Sequence, residues 1–189
     1  MMVSIFFSFW LLVFLFAVIG AMRGWAKEIL VTFSILLALF LVSLLENYVP
    51  FFKSMLQTPN PDPVIAASNA KYLFWVRAIL VAVLAFFGYQ TPSLQRFVAA
   101  EKFNRERLQD GLLGFVLGTV NGFLIVGTML FYLHQANYPF PTLISPPADE
   151  PTRLALERLI TYLAPRWLGI PSIYFAVAVA FIFVLIVFI

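Results

Sequence analysis

Residues 2–21 read MVSIFFSFWLLVFLFAVIGA, an apolar stretch without a charged side chain. A helix of this length spans roughly 30 Å, the thickness of the hydrocarbon core of a bilayer, and it satisfies its own backbone hydrogen bonds there. No basic region precedes the stretch and another apolar stretch follows at once, so we interpret it as a retained transmembrane helix. We therefore expect an integral membrane protein.

The composition of the whole chain supports this interpretation. Of its 189 residues, 62% are hydrophobic and 11% are charged, and the mean hydropathy is +0.96. Soluble domains contain roughly 45–50% apolar residues, and a folded aqueous core cannot hide so many more. The net charge of +3 is small and the basic residues are spread along the chain, so we expect no binding of nucleic acid. The absence of cysteine excludes disulfides and thiolate metal sites.

Further apolar stretches follow at about residues 26–45, 72–89, 111–133 and 170–189. This pattern predicts an all-α, polytopic membrane protein with four to five transmembrane helices, of which the third is the shortest. Because the first two helices are joined by a very tight turn, we expect them to form an antiparallel hairpin. The proline-rich residues 47–69 predict an extramembrane loop with a short interfacial stretch at 51–56.

Two segments outside these stretches alternate charged and apolar residues. Residues 93–109 and 152–163 are each expected to form a short amphipathic helix at the membrane surface. The lysines and arginines divide equally between the two sides of the membrane, so the positive-inside rule gives no orientation by count. We expect the N-terminus outside, because the densest basic cluster, residues 96–107, then faces the cytoplasm.

The fourth apolar stretch contains glycines at a regular spacing. Gly114, Gly118 and Gly122 recur every four residues, and Gly111 lies one turn before them. Glycines at this spacing form a groove that a second helix can enter closely. We favour packing within the chain, with contact to a partner chain as the alternative. Asn121, near the bilayer midplane, is expected to form an interhelical hydrogen bond, or alternatively to line a polar path.

A second group of candidate residues surrounds the first turn. Gly20, Arg23 and Gly24 lie between the first two apolar stretches, and Glu28 follows in the first turn of the next helix. The helix dipole favours a carboxylate at that position, and Glu28 is expected to pair with Arg23 or with the basic surface segment. Asp110 is expected to be the N-cap of the fourth transmembrane helix.

Two single residues complete the list of candidates. His134, the only histidine, has the chemistry of a ligand to haem or a chlorophyll-type pigment, but hydrogen bonding at the interface is the more common role. We expect no cofactor and no metal. Arg77, near the start of the third stretch, is expected to extend to the membrane surface. The chain lacks phosphate-binding-loop, zinc-protease and nucleophile-elbow motifs, so we expect no catalysis.

Two motifs together resemble those of the colicin V production protein (CvpA) family of small bacterial inner-membrane proteins. They are Gly20-x-x-Arg23-Gly24-x-x-x-Glu28, and Asp110-Gly111-Leu112-Leu113-Gly114-x-x-x-Gly118-x-x-x-Gly122. The resemblance predicts a CvpA-like membrane domain over residues 1–165 and an additional C-terminal transmembrane helix over residues 166–189. It implies a multi-pass protein of the inner membrane that is needed for colicin V production or secretion.

Three functions agree with these features. The first is a non-catalytic scaffold that assembles envelope proteins, with membrane lipids, other transmembrane proteins or copies of itself as partners. The second is an accessory transmembrane subunit of a large photosynthetic or respiratory complex. The third is a small transporter or channel component, for which Glu28, Arg77 and Asn121 are the intramembrane polar candidates.

Overall fold

The computed structural model describes residues 5–57, 62–90, 104–140, 144–147 and 149–188. These residues are 88% helical and include no strand, which confirms the predicted all-α class. The helices are α1 (Ile5–Arg23), α2 (Trp25–Tyr48), α3 (Pro50–Gln57), α4 (Pro63–Tyr89), α5 (Asn104–Gln135), α6 (Glu150–Tyr162), α7 (Ala164–Trp167) and α8 (Ser172–Phe188). Among them, α1, α2, α4 and α5 are long and apolar enough to cross a membrane.

The third transmembrane helix differs from its prediction. α4 begins at Pro63 and has 27 residues, so it is not the shortest of the four. Its start is fixed by Asp62, whose carboxylate accepts a hydrogen bond of 2.9 Å from the backbone N–H of Val64, while Pro63 occupies the first helical position. Most of the predicted loop at 47–69 is therefore helical, and its expected interfacial stretch corresponds to α3.

α1 and α2 run in opposite directions, as the predicted hairpin requires, but they do not pack against each other along their length. α1 packs chiefly against α5 and touches α2 little beyond the turn. Phe9 contacts Phe123 and Gly20 faces Gly118, so α1 runs antiparallel to α5. α2 packs on α5 in the parallel sense, which leaves α1 and α2 opposite in direction but each held by α5. The central helix of the bundle is therefore α5.

The C-terminal helices pack onto the same bundle. α6 covers most of the amphipathic segment predicted at 152–163, and its Leu156 and Leu159 are buried against α1 and α5. α8 runs antiparallel to α2, because Tyr174 contacts Phe40 while Phe181 contacts Phe33. With 17 residues α8 is roughly 25 Å long, at the lower limit of a crossing helix.

The other predicted surface helix lies mostly outside the described residues. Residues 93–103 are not described, and residues 104–109 form the first turns of α5. α5 is one continuous helix of 32 residues, so the glycine stretch is its middle and not its beginning.

Candidate functional site

The glycines of α1 and α5 meet where these helices cross. A methyl group added at Gly20 would lie 2.7 Å from the Cα of Gly118, and one added at Gly122 would lie 2.7 Å from the Cβ of Phe16. Carbon atoms do not approach so closely without displacing one helix, so the crossing requires glycine. Gly114 is equally close, since its added methyl would collide with the carbonyl oxygen of Gly20. The glycine face of α5 is thus occupied by α1 of the same chain.

Gly111 differs from the other glycines of the motif. A methyl group added there would meet only the carbonyl oxygen of Ala21, at 3.5 Å. This is an ordinary van der Waals distance. The structure therefore does not include Gly111 in the tight crossing, although the spacing of the sequence does.

Arg23 and Glu28 form an ion pair beside the crossing. The Nη1 of Arg23 donates to Oε1 of Glu28 at 2.7 Å, and its Nη2 donates to the carbonyl oxygen of Tyr89 at 3.0 Å. The guanidinium also lies 4.4 Å from the centre of the Tyr89 ring. The Glu28 side chain is 0% exposed. A buried ion pair is stable only when further hydrogen bonds offset the loss of hydration, and Tyr89 supplies part of that compensation.

Asn121 supplies the other hydrogen bonds that compensate the buried Glu28 carboxylate. Its side-chain amide donates to Oε2 of Glu28 at 2.8 Å and to the backbone carbonyl of Glu28 at 2.9 Å. Its own carbonyl oxygen accepts from the hydroxyl of Thr32 at 2.7 Å. Asn121 is fully buried, and these bonds join α5 to α2. We call Arg23, Glu28, Thr32, Tyr89 and Asn121 the polar centre.

Asp110 does not cap its own helix, because α5 begins six residues before it. Its carboxylate instead accepts a hydrogen bond of 3.3 Å from the backbone N–H of Trp25, the first residue of α2. A helix start offers unpaired N–H groups and a partial positive charge, and both favour this carboxylate. Gly24 makes the contact fit, since its φ is +84° and an added methyl would lie 2.8 Å from Asp110. The expectation of a cap on the fourth transmembrane helix was wrong.

The family model described as Colicin V production protein matches residues 7–145. This chain belongs to the colicin V production protein family. The matched region contains α1 to α5 and both motifs of the polar centre and the glycine crossing. No curated protein and no solved structure matches the chain. The family match ends before α6, and α7 extends across the boundary that we predicted between residues 165 and 166.

The family match also includes a second, partly buried ion pair, at the other end of α2. The Nε of Arg77 donates to Oε1 of Glu46, and its Nη1 donates to Oε1 of Gln135 at 2.8 Å. The guanidinium lies 5.1 Å from the centre of the Tyr132 ring. Arg77 is only 5% exposed, and its partners Glu46 and Gln135 lie near the ends of α2 and α5. The expectation that it extends to the membrane surface stays a prediction. The early start of α4 places Arg77 well inside the helix, between α2 and α5.

Glu46 was not among the residues predicted from the sequence to be functional. Its signal was present, because Glu46 is the first charged residue after the apolar run 29–45 and Arg77 is the only charge in the apolar stretch that follows. Two opposite charges in consecutive antiparallel helices are a reasonable pair to test. The two residues are 31 positions apart, so their pairing cannot be predicted until the start of α4 is known.

His134 is exposed near the end of α5. Its Nδ1 lies 3.2 Å from the hydroxyl of Tyr138, and burial raises the pKa of that tyrosine above its usual value. The described residues include no group of three or more side chains arranged to hold a metal ion. The haem or pigment hypothesis for His134 stays a prediction.

Proposed function

We propose that this chain is a non-catalytic protein of the bacterial inner membrane that acts as an assembly element in the production or secretion of a colicin V-type polypeptide. Membership of the family supports the process, and the pairing of the intramembrane charges supports the absence of catalysis. Glu28 and Arg77 each form an ion pair with an opposite charge of the same chain. Ion pairs of this kind hold helices in one arrangement.

The surface available to partners follows from the same contacts. Since α1 occupies the glycine face of α5, partner proteins would bind elsewhere. The outward side of α1 exposes large apolar side chains, among them Phe7, Trp10 and Phe14. Aromatic side chains of this kind offer contact area to lipid or to another transmembrane helix. The proposed scaffold is thus a preassembled bundle that presents these outer faces.

Complementation tests the proposed role. A bacterial strain that lacks this chain and carries the colicin V genes should secrete little colicin, measured as the zone of inhibition on a sensitive lawn. The intact chain and the Gly111→Ala variant should restore the zone. Gly118→Leu should not, because leucine cannot enter the crossing. Equal zones with and without the chain would contradict the proposed role.

Isolation from native membranes tests the mode of action. A tagged chain in mild detergent should retain other membrane proteins at a fixed ratio, measured by quantitative mass spectrometry. The same chain with its N-terminus fused to alkaline phosphatase should be active outside the cytoplasm, since the distribution of basic residues leads us to expect this terminus outside. A coloured or redox-active complex would instead support the accessory-subunit hypothesis, and a chain that purifies alone would contradict both.

A second candidate function, passage of protons or small polar solutes, has one observation in its favour. Asn121, Thr128 and Tyr132 lie on one side of α5 and are all buried, and Gln135 continues the row to the end of the helix. The row is roughly 21 Å long and has the polar centre at one end and Arg77 at the other. The Thr128 hydroxyl has no hydrogen-bond partner among the described residues. Buried polar groups in such a row are typical of proton relays.

Thr128→Val tests this candidate, because it removes the hydroxyl while keeping the shape of the side chain. Proton flux is measured in proteoliposomes with a pH-sensitive dye under an imposed potential. If the row conducts, flux with the intact chain should exceed that of empty liposomes, and Thr128→Val and Asn121→Leu should each abolish it. Flux equal to that of empty liposomes would reject the candidate.

A further inference from the structure

A cavity of about 200 Å³ lies between α3, α4 and the end of α5. Apolar side chains of α3 and α4 form one wall, including Leu56, Ala66 and Ala70. Asn69, Arg77 and Gln135 supply polar groups to the lining. The cavity is smaller than the roughly 300–1,000 Å³ of sites for drug-sized ligands, so its size suits a single small polar group.

Arg77 determines which kind of ligand the cavity can bind. A guanidinium has five N–H donors, and hydrogen bonds to described residues account for two of them, one to Glu46 and one to Gln135. The residue is nine-tenths buried, so the remaining donors have little access to water except through the cavity that Arg77 lines. A guanidinium donor that faces this space can bind an acceptor placed there.

The other lining residues favour an anion with several oxygens. The described lining contains no carboxylate, whereas Asn69 and Gln135 each carry an amide N–H₂ group. Planar guanidinium groups bind phosphate through parallel hydrogen bonds, and amide groups can bind its remaining oxygens. The cavity lies beside the amphipathic α3 and near the end of α5, a helix long and apolar enough to cross a membrane. Lipid headgroups lie at the ends of membrane-crossing helices.

We propose that this cavity binds a phosphate-bearing group of headgroup size, with Arg77 as the central ligand and the amides of Asn69 and Gln135 beside it. The group belongs either to a membrane phospholipid or to a small soluble phosphate ester. Binding there would link α3 and α4 to the end of α5 in a manner that depends on the ligand. This site is independent of the proposed assembly role.

Native mass spectrometry of the purified chain in detergent tests the proposal. Dioleoyl phosphatidylglycerol, dioleoyl phosphatidylcholine, a neutral diacylglycerol, glycerol 3-phosphate and inorganic phosphate are each titrated, and bound molecules are counted per chain. A phosphate site should bind at least one phosphate compound at least tenfold more tightly than diacylglycerol. Preference for the phospholipids assigns the site to a lipid, and binding of glycerol 3-phosphate or inorganic phosphate assigns it to a soluble ester. No preference over diacylglycerol overturns the proposal.

Variants locate the binding without breaking the ion pair. Ala66→Leu fills the cavity from its apolar wall and should weaken phosphate binding at least tenfold. Ala67→Leu, the same change at the adjacent exposed position, should leave binding unchanged. Gln135→Leu removes one amide and should weaken binding by a smaller factor. Equal binding by the Ala66→Leu and Ala67→Leu variants would show that the phosphate binds elsewhere and would overturn the assignment of this cavity.

Discussion

An arginine–glutamate pair lies at each end of α2, but the packing around the two pairs differs. At the α1–α2 turn, the carboxylate of Glu28 is enclosed by Arg23 and Asn121, and the neighbouring helices touch through glycine. At the opposite end, the Glu46 side chain is 24% exposed and Arg77 borders a cavity. An arginine–glutamate pair therefore lies in a closed junction at one end of α2 and in an open junction at the other. This suggests that packing around a buried ion pair determines whether it only joins helices or also leaves room for a ligand.

The largest difference should appear when each arginine is removed. Arg23→Ala leaves the fully buried Glu28 without its cation, and we expect a loss of about 3–5 kcal/mol in the free energy of unfolding. Arg77→Ala should cost less, about 1–3 kcal/mol, because Glu46 has access to water. Both are measured by titration with sodium dodecyl sulfate in mixed micelles. A greater cost for Arg77→Ala would break the comparison.

The next largest difference in stability between the two ends of α2 should appear when a larger side chain is introduced at each. Gly118→Ala places a methyl group 2.9 Å from the Cα of Gly20 and should cost about 1–3 kcal/mol. Ala66→Leu, which adds more atoms beside the cavity, should change stability by no more than about 0.5 kcal/mol. Gly111→Ala is the matched control on α5. Because alanine has a higher helix propensity than glycine, this change should stabilise the protein by up to about 1 kcal/mol. Similar losses for Gly118→Ala and Gly111→Ala would contradict the tight crossing.

Replacing the amide at each end should give the smallest effects. Asn121→Leu removes hydrogen bonds to Glu28 and Thr32, and at about 0.6 kcal/mol for each bond within a membrane the total loss should be about 1–2 kcal/mol. Gln135→Leu removes one bond, to Arg77, and should cost about 0.6 kcal/mol. Thermal unfolding in detergent measures both. If the order is reversed, the more constrained junction is at the cavity end.

The sequence predicts where the helices lie along the chain better than it predicts which helices pack together. Length and hydropathy alone identify α1 and α2, because a charge-free stretch of about 20 residues has few other stable forms in a bilayer. The partner of α1 could not be predicted from the tight turn, which constrains direction but not packing. Gly20 on α1 and Gly118 on α5 determine that partner, since only their faces allow such a close approach.

The polar residues show a similar limit. Glu28 and Arg23 are five residues apart, so their pairing was a short-range prediction that the structure shows directly. Asp110 was recognised as a helix-capping residue but assigned to its own helix, because the sequence does not reveal that α5 begins at Asn104. The pairing of Glu46 with Arg77 could be predicted only from the start of α4 and the arrangement of three helices. Contacts between distant segments depend on helix boundaries that hydropathy locates only within several residues.

An introduced disulfide tests the central claim, that the glycine face of α5 packs against α1 of the same chain. The chain contains no cysteine, so Ala21→Cys with Gly111→Cys gives an unambiguous pair close to the crossing. Oxidation in native membranes should produce an intrachain disulfide that migrates as a monomer on a non-reducing gel. The control pair, Met22→Cys with Gly111→Cys, should remain reduced, because Met22 is exposed. A disulfide-linked dimer from the first pair, or equal oxidation of both pairs, would contradict the account.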